Sequence, residues 1–301
     1  MKHFLSIESM TAAELRELVQ LGAQMKENRG RHGEHPLRHQ CWALMFSKSS
    51  TRTRVSFEVG IRELGGDVMF LAASEIQLGR GEPIKDTARV MGRMIHGAVI
   101  RTFAQSDVND FARYSGIPTI NALTDDEHPC QIVADLQTIR EKLGTFEGKT
   151  VTFIGDGACN VAHSWIWAAA RLGFPLRIAA PENFQPAPAL LAAAGSERIS
   201  VTADIEAAAR GADVLYTDVW VSMGREEESE FRIAQLARYQ INDDLVAIAK
   251  PGALVMHCLP AYRGKEISEE TFEAHAETIF TQAENRLHAQ KAVLARLAKG
   301  R

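Results

Sequence analysis

Short apolar runs alternate with stretches of helical periodicity along the whole chain, and this alternation limits the fold more than any other feature. Cys41–Phe46, Asp67–Leu71, Ala98–Thr102, Val151–Ile154, Leu176–Ala180, Val214–Thr217 and Ala253–Met256 read as strands. Between and around them Thr11–Glu27, Val55–Leu64, Asp86–Met94, Pro129–Leu143, Val161–Leu172, Ala187–Ala194 and Ala289–Lys299 carry the apolar spacing of helices. A strand that returns through a helix lies parallel to its predecessor, so the expected class is α/β. The turn-rich stretch Gly144-Thr145-Phe146-Glu147-Gly148-Lys149 precedes a new strand and sets an expected boundary near residue 145. We therefore expect two doubly wound domains, 1–145 and 146–301, each with a central, mainly parallel sheet. Open sheets of this kind bind ligands at the carboxyl ends of their strands, which puts the expected active site in the cleft between the domains.

With 301 residues, 46% of them hydrophobic and 24% charged, the chain can bury two cores. A formal net charge of −4 argues against nonspecific nucleic-acid binding, which needs a broad excess of Lys and Arg. The N-terminus lacks a basic segment followed by an apolar core, and no apolar run approaches the roughly 20 residues needed to span a bilayer. The expectation is a cytoplasmic protein without a membrane partner. Cys41, Cys130, Cys159 and Cys258 are scattered, with no Cys-x-x-Cys pair to suggest zinc or a redox couple.

Chemistry concentrates where strands end. Ser50-Thr51-Arg52-Thr53-Arg54 stands between a strand and a helix, where Ser50 or Thr51 can cap the helix. Helix-start N–H groups favour an anion, and Arg52 adds a planar fork that matches phosphate oxygens at two points. A solvated basic turn is the plainer alternative. His128-Pro129-Cys130-Gln131 opens a helix after the polar turn Thr124–Glu127, and an imidazole there can donate to an oxygen gaining charge or simply cap the chain. Arg101 closes a strand, as a ligand contact or half of a salt bridge.

In the second half, Asp218-Val219-Trp220-Val221-Ser222-Met223-Gly224 sets a carboxylate and a hydroxyl on a loop that can hold an amine or lie as acidic surface. His257-Cys258-Leu259-Pro260 follows a strand and aims Cys258 into the cleft. As its neighbour on extended chain, His257 should point the opposite way, so Cys258 reads as a substrate contact rather than an activated nucleophile. Phe153-Ile154-Gly155-Asp156-Gly157 resembles the start of a dinucleotide fingerprint. However, Asn160 stands at the third glycine position, and Ala179-Ala180-Pro181 offers no acid for a ribose, so no nicotinamide cofactor is expected.

Together with Glu82–Val90 and Ala283-Glu284-Asn285-Arg286, these motifs are similar, in the same order and over nearly the whole chain, to those of the ornithine carbamoyltransferases. The aspartate carbamoyltransferases share the Ser-Thr-Arg-Thr-Arg loop but lack the Ser-Met-Gly loop and read His-Pro-Leu-Pro at 257–260. The resemblance implies that residues 1–145 bind carbamoyl phosphate and 146–301 bind ornithine, with a C-terminal helix at about 285–301 packing back on the first domain. It implies that Ser50, Thr51, Arg52 and Thr53 hold the phosphate, with Arg101, His128 and Gln131 around the carbamoyl group and Arg286 returning to the same ligand. Gln77 would reach in from a neighbouring subunit, which implies a homotrimer or an assembly of trimers. Asn160, Asp218, Ser222 and Met223 would hold ornithine, while Cys258 and the Leu259 backbone lie near the reacting amine and the carbamoyl group. Arg101, His128, Asp218 and Cys258 are the implied catalytic residues, and neither metal nor cofactor is implied. The sequence departs from the family's paired asparagines at Gly157-Ala158-Cys159-Asn160. A modified ornithine or putrescine as acceptor, or a nonenzymatic carbamoyl phosphate-binding role, are the alternatives.

Overall fold

The computed structural model describes residues 1–31, 33–72, 81–222, 224 and 226–299. Two compact units divide the chain, Met1–Gln137 with Asn285–Arg301, and Thr138–Glu284.

In the first unit α1 (Ala12–Glu27) precedes β1 (Cys41–Phe46), α2 (Thr51–Glu63), β2 (Asp67–Ala72), α3 (Ile84–Met91), β3 (Gly97–Arg101), α4 (Gln105–Ser115), β4 (Thr119–Leu123) and α5 (Pro129–Leu143), whose residues from Thr138 on are counted with the second unit. The four strands pair in parallel in the order β2-β1-β3-β4. Alternate residues share a face of a strand, so Ala43 and Met45 join Ala98 and Ile100 in one buried cluster with Val108 and Phe111 of α4. Glycine is required where β3 starts, since a Cβ on Gly97 would lie 2.5 Å from the Trp42 ring.

Sequence periodicity misses β4, because its alternate positions Thr119 and Asn121 are polar and wholly buried. Tertiary partners satisfy them: the Asn121 amide donates to the Leu5 carbonyl at 2.9 Å and to Gln105 Oε1 at 3.1 Å. Phe4 extends the ladder, donating to the Thr119 carbonyl and accepting from the Asn121 N–H, each at 2.8 Å.

The second unit runs through β5 (Val151–Ile154), α6 (Asn160–Leu172), β6 (Leu176–Ala179), α7 (Pro188–Ala194), β7 (Ile199–Thr202), α8 (Ile205–Ala209), β8 (Val214–Thr217), α9 (Ser229–Leu236), α10 (Asp243–Ile248), β9 (Leu254–His257), α11 (Glu269–Ala274) and the start of α12 (Ala276–Ala298), whose residues from Asn285 on belong to the first unit. Its strands are also parallel, ordered β7-β6-β5-β8-β9. Trp165 of α6 meets Tyr216 of β8 edge to face, with centroids 5.4 Å apart, and Tyr216 stacks on Phe153 of β5 at 5.7 Å.

Two boundaries and one strand differ from the sequence reading for physical reasons. The last helix begins at Ala276 rather than Ala289, its first half disguised by the buried polar residues Gln282 and Asn285. His257 is the last residue of β9 rather than the first beyond it. Sequence periodicity misses the edge strand β7 altogether, because Ser200 and Thr202 alternate with its two apolar residues and none of the four is fully buried.

Strand order locates the chemistry. Successive strands depart to opposite sides of β1 and β3 in one sheet and of β5 and β8 in the other, and ligands bind at such reversals, outside the carboxyl ends. Arg101 ends β3, and the segments leaving the other three strands carry Ser50, Asn160 and Asp218.

Candidate active site

At the end of β1, Ser50 adopts an extended conformation and caps α2, its hydroxyl accepting from the Thr53 N–H at 3.4 Å and donating to Thr53 Oγ1 at 3.0 Å. Thr53 is buried, while Thr51 and Arg52 face solvent at the helix start. The two arginines of the motif differ in availability. Arg54 is engaged, donating to Glu58 Oε1 at 2.7 Å and lying 3.8 Å from the Phe70 ring centroid. Arg52 makes no ion pair among the described residues, so an exposed guanidinium stands beside helix-start N–H groups, the combination that recognises phosphate.

Behind it runs a buried polar chain. Arg286 of α12 donates to Gln131 Oε1 at 2.6 Å and to Thr53 Oγ1 at 3.3 Å. Gln131 in turn donates to Asp135 at 2.8 Å, which fixes its amide with the oxygen toward Arg286. Gln290, oriented so that its nitrogen donates to Ser56 Oγ at 2.6 Å, accepts from Arg286 at 2.8 Å. Neither Gln290 nor Asp135 was recognised from sequence, since nothing local marks a buried amide or acid.

Arg101 ends β3 and is buried, as is His128 immediately before α5. Burial, then the nearby Arg286 and Arg101 charges, push the His128 imidazole well below its usual range. That shift favours the neutral imidazole, which can still donate one hydrogen bond without carrying positive charge. The turn that delivers it is pinned. Thr124 donates to the Glu127 carbonyl at 3.0 Å, and the Glu127 carboxylate accepts from the backbone of Ile7 at 2.7 Å and of Glu8 at 3.3 Å. Lys48, beside the phosphate motif, pairs with Asp125 of this turn and sits 4.2 Å from the Phe103 ring centroid. Cys130, wholly buried, has its thiol pushed up to about 12 by burial and is inert.

In the second unit the turn after β5 uses Gly155 at φ +124° and Gly157, where a Cβ would lie 2.7 Å from Ile178 and 3.1 Å from the Phe184 carbonyl. The Cys159 thiol caps α6, accepting from the Ala162 N–H at 3.4 Å, and half-buried Asn160 opens the helix. Asp156 accepts from the Ala158 N–H at 3.0 Å. The N–H groups with which such a turn would meet a pyrophosphate are thus partly spent inside it.

Asp218, half-buried, follows β8, and burial raises its carboxyl above the ordinary range. Its Oδ1 accepts from the Val219 N–H at 2.7 Å and from the Cys258 thiol at 2.9 Å. Ser222 lies half-buried four residues on. Met223 and Gln77 lie outside the described residues.

Cys258 and His257 do face different ways. The wholly buried His257 ring accepts from the Leu259 N–H through Nδ1 at 2.8 Å and donates from Nε2 to Glu266 at 3.1 Å, an arrangement that fixes one neutral tautomer. Leu259 is thereby held at φ +59°, a left-handed conformation costing a leucine about 1–2 kcal/mol. It stands just beyond β9, the edge strand beside β8, where backbone strain can serve to aim a backbone group.

Among the described residues, no group of three or more His, Cys, Asp or Glu side chains could hold a metal ion, and no helix is long and apolar enough to cross a membrane. None of the four cysteines is in a disulfide.

Known proteins resemble the chain in sequence and in fold. The family model for the aspartate/ornithine carbamoyltransferase carbamoyl-P binding domain matches residues 2–141, and the model for the Asp/Orn binding domain matches 147–297. An ornithine carbamoyltransferase of Akkermansia muciniphila is 56% identical over 303 residues, covering 100% of this chain and 99% of the relative. The anabolic ornithine carbamoyltransferase of Campylobacter jejuni superposes with a TM-score of 0.94 at 41% identity, with 100% of both chains covered. That of Pyrococcus furiosus superposes with a TM-score of 0.92 at 41% identity, covering 100% of this chain and 98% of its own. Both units match in sequence and in structure over essentially their full length, and so the chain belongs to the aspartate/ornithine carbamoyltransferase family.

Proposed function

We propose that the protein transfers the carbamoyl group of carbamoyl phosphate to the δ-amine of L-ornithine, giving L-citrulline and phosphate. The observation that carries this reading is the 2.9 Å Asp218–Cys258 contact at the second switch point. A carboxylate with a thiol beside it suits an amine nucleophile. Arg52 at the α2 start suits the phosphate of the donor, with Ser50, Thr51 and Thr53 completing the cradle.

The neutral amine attacks the carbonyl carbon, and the tetrahedral oxyanion collapses as the C–O bond to phosphate breaks, the departing phosphate taking the proton that the attacking nitrogen sheds. Arg101 and His128 donate to the developing oxyanion, a contact whose loss typically costs about 100- to 1000-fold in rate. Gln131 orients the carbamoyl amide, and Arg286, held against Gln131 and Thr53, contributes charge from behind. Arg52 and the helix start stabilise the departing phosphate. An amine with a pKa near 10 is mostly protonated at neutral pH, so the Asp218 and Cys258 environment must accept the ammonium and release it deprotonated. The Leu259 backbone, fixed by His257, accepts from the reacting nitrogens, and Asn160, Ser222 and Met223 hold the α-amino and α-carboxylate groups.

The same reading includes a homotrimer in which Gln77 of one subunit completes its neighbour's site, a cytoplasmic location and a place in arginine metabolism. Citrulline formation by purified protein, with ornithine, N-acetylornithine, putrescine and aspartate as parallel acceptors, tests it. Strong preference for ornithine is expected; preference for another acceptor overturns the assignment around Asp218, and no turnover with any acceptor overturns the enzymatic reading.

A further inference from the structure

The turn before α6 and the loop after β8 carry the proposed amino-acid contacts of the second unit, and one side chain fastens them together. Arg232 of α9 pairs through Nη2 with Asp156 of the turn and donates through Nε to the backbone carbonyl of Trp220 at 2.7 Å. Its Nη1 lies 3.4 Å from Glu228, and the guanidinium is 4.8 Å from the Phe184 ring centroid. Both members of the central pair are nearly excluded from solvent, Arg232 at 7% and Asp156 at 8% exposure.

The placement of the two ties matters. Trp220 stands midway between Asp218 and Ser222, so holding its carbonyl fixes the segment that presents both side chains. Asp156 also accepts from the Ala158 N–H, and its own carbonyl accepts from the Cys159 N–H at 3.3 Å, so holding its carboxylate fixes the turn that delivers Asn160. A guanidinium spreads its donors in one plane at fixed directions, so satisfying both partners sets the distance between the loops; an ammonium on a flexible stem does not. Asp156 reads from sequence as part of a dinucleotide-like turn, and Arg232 lies just after a glutamate run that reads as solvated surface.

We propose that Arg232 is a positioning residue for the amino-acid substrate: paired with Asp156 and bonded to the Trp220 carbonyl, it sets the separation between Asn160 and the Asp218–Ser222 segment. It touches no reacting atom. The inference rests on the ornithine reading above and adds a residue that controls fit to the substrate's α-amino and α-carboxylate groups. It follows that losing the clamp weakens binding of the amino acid while leaving the carbamoyl phosphate machinery of the first unit intact.

The test is steady-state kinetics on the full chain for wild type, Arg232→Lys, Arg232→Gln, Asp156→Asn and the Asp156→Asn/Arg232→Gln double variant. Ornithine KM should rise by about 10- to 100-fold in Arg232→Gln, the scale expected for misplaced binding groups. Carbamoyl phosphate KM and kcat at saturating ornithine should stay within about threefold of wild type, as for lost uniform binding. Arg232→Lys, which keeps a charge opposite Asp156 and is the variant designed to fold, should still raise ornithine KM because it cannot also reach the Trp220 carbonyl. The double variant should be no worse than its poorer parent, since both changes break one contact. An unchanged ornithine KM in Arg232→Lys, or equal rises in both KM values, overturns the inference. Absence of citrulline formation by the wild type is a different failure, that of the ornithine reading itself.

Discussion

Helix α2 in the first unit starts under a serine hydroxyl, whereas α6 at the matching place in the second starts under the Cys159 thiol. The contrast extends through both candidate half-sites. Around the Ser50–Arg54 motif Thr53, Gln131, Arg286, Arg101 and His128 are all buried, and Arg286 bonds directly to both Gln131 and Thr53. Around the amino-acid contacts Asn160, Asp218, Ser222 and Cys258 are half-buried and stand on loops or at element ends. A small, densely charged ligand gains from donors whose desolvation and ordering were completed on folding. In the proposed reading a flexible zwitterion is met by loops that a few anchors hold at the right spacing, the part assigned to Arg232 and the His257–Leu259 contact. One half is preorganised by burial, the other by tethering.

The sharpest way to break this comparison is to remove charge from the buried half. Arg101→Gln should lower kcat by about 100- to 1000-fold, the usual loss for one oxyanion donor, read in citrulline formation at saturating substrates. Arg286→Gln should raise carbamoyl phosphate KM by about 10- to 100-fold and leave ornithine KM within a few fold, because its bonds run to Gln131 and Thr53. Equal effects on both KM values would erase the distinction between the halves.

A pH experiment probes the same burial. In the folded chain His128 resists protonation, while in the unfolded chain it takes a proton as pH falls through its ordinary 6.5. The unfolded state then binds more protons, so this group's contribution to stability is complete above about pH 6.5 and declines below it. The melting temperature of wild type should therefore drop between pH 7 and 5 more steeply than that of His128→Gln. Both proteins should still show activity rising toward alkaline pH, since that trend belongs to the substrate amine.

The smallest expected effect contrasts the two caps. Ser50→Ala should cost about 1 kcal/mol in denaturant unfolding, and Cys159→Ala only a few tenths, because a thiol is a weak acceptor.

Where chemistry and local structure coincide in the chain, the sequence could be read directly. The Ser50–Arg54 motif has its strand, cap, hydroxyls and guanidiniums in one contiguous stretch, so helix-terminus physics alone suggested an anion there. Gln131 and Arg286 lie 155 residues apart, and only the resemblance linked them. Asn121 and Thr119 hid β4 because their partners, Leu5 and Gln105 among them, are tertiary. Strand order was equally hidden, and with it the switch points near which Ser50, Arg101, Asn160 and Asp218 stand. Arg232 carried no local signal, since a clamp is defined by what it holds.

Calorimetric titration of carbamoyl phosphate in the absence of ornithine, at low temperature to limit its decomposition, tests the division of labour most directly. Wild type and Asp218→Asn should bind it with the same affinity, and Arg52→Lys should bind at least about tenfold more weakly, because an ammonium cannot reproduce the two-point fork. Normal affinity in Arg52→Lys, or lost affinity in Asp218→Asn, would contradict the assignment of the phosphate ligand to the first unit.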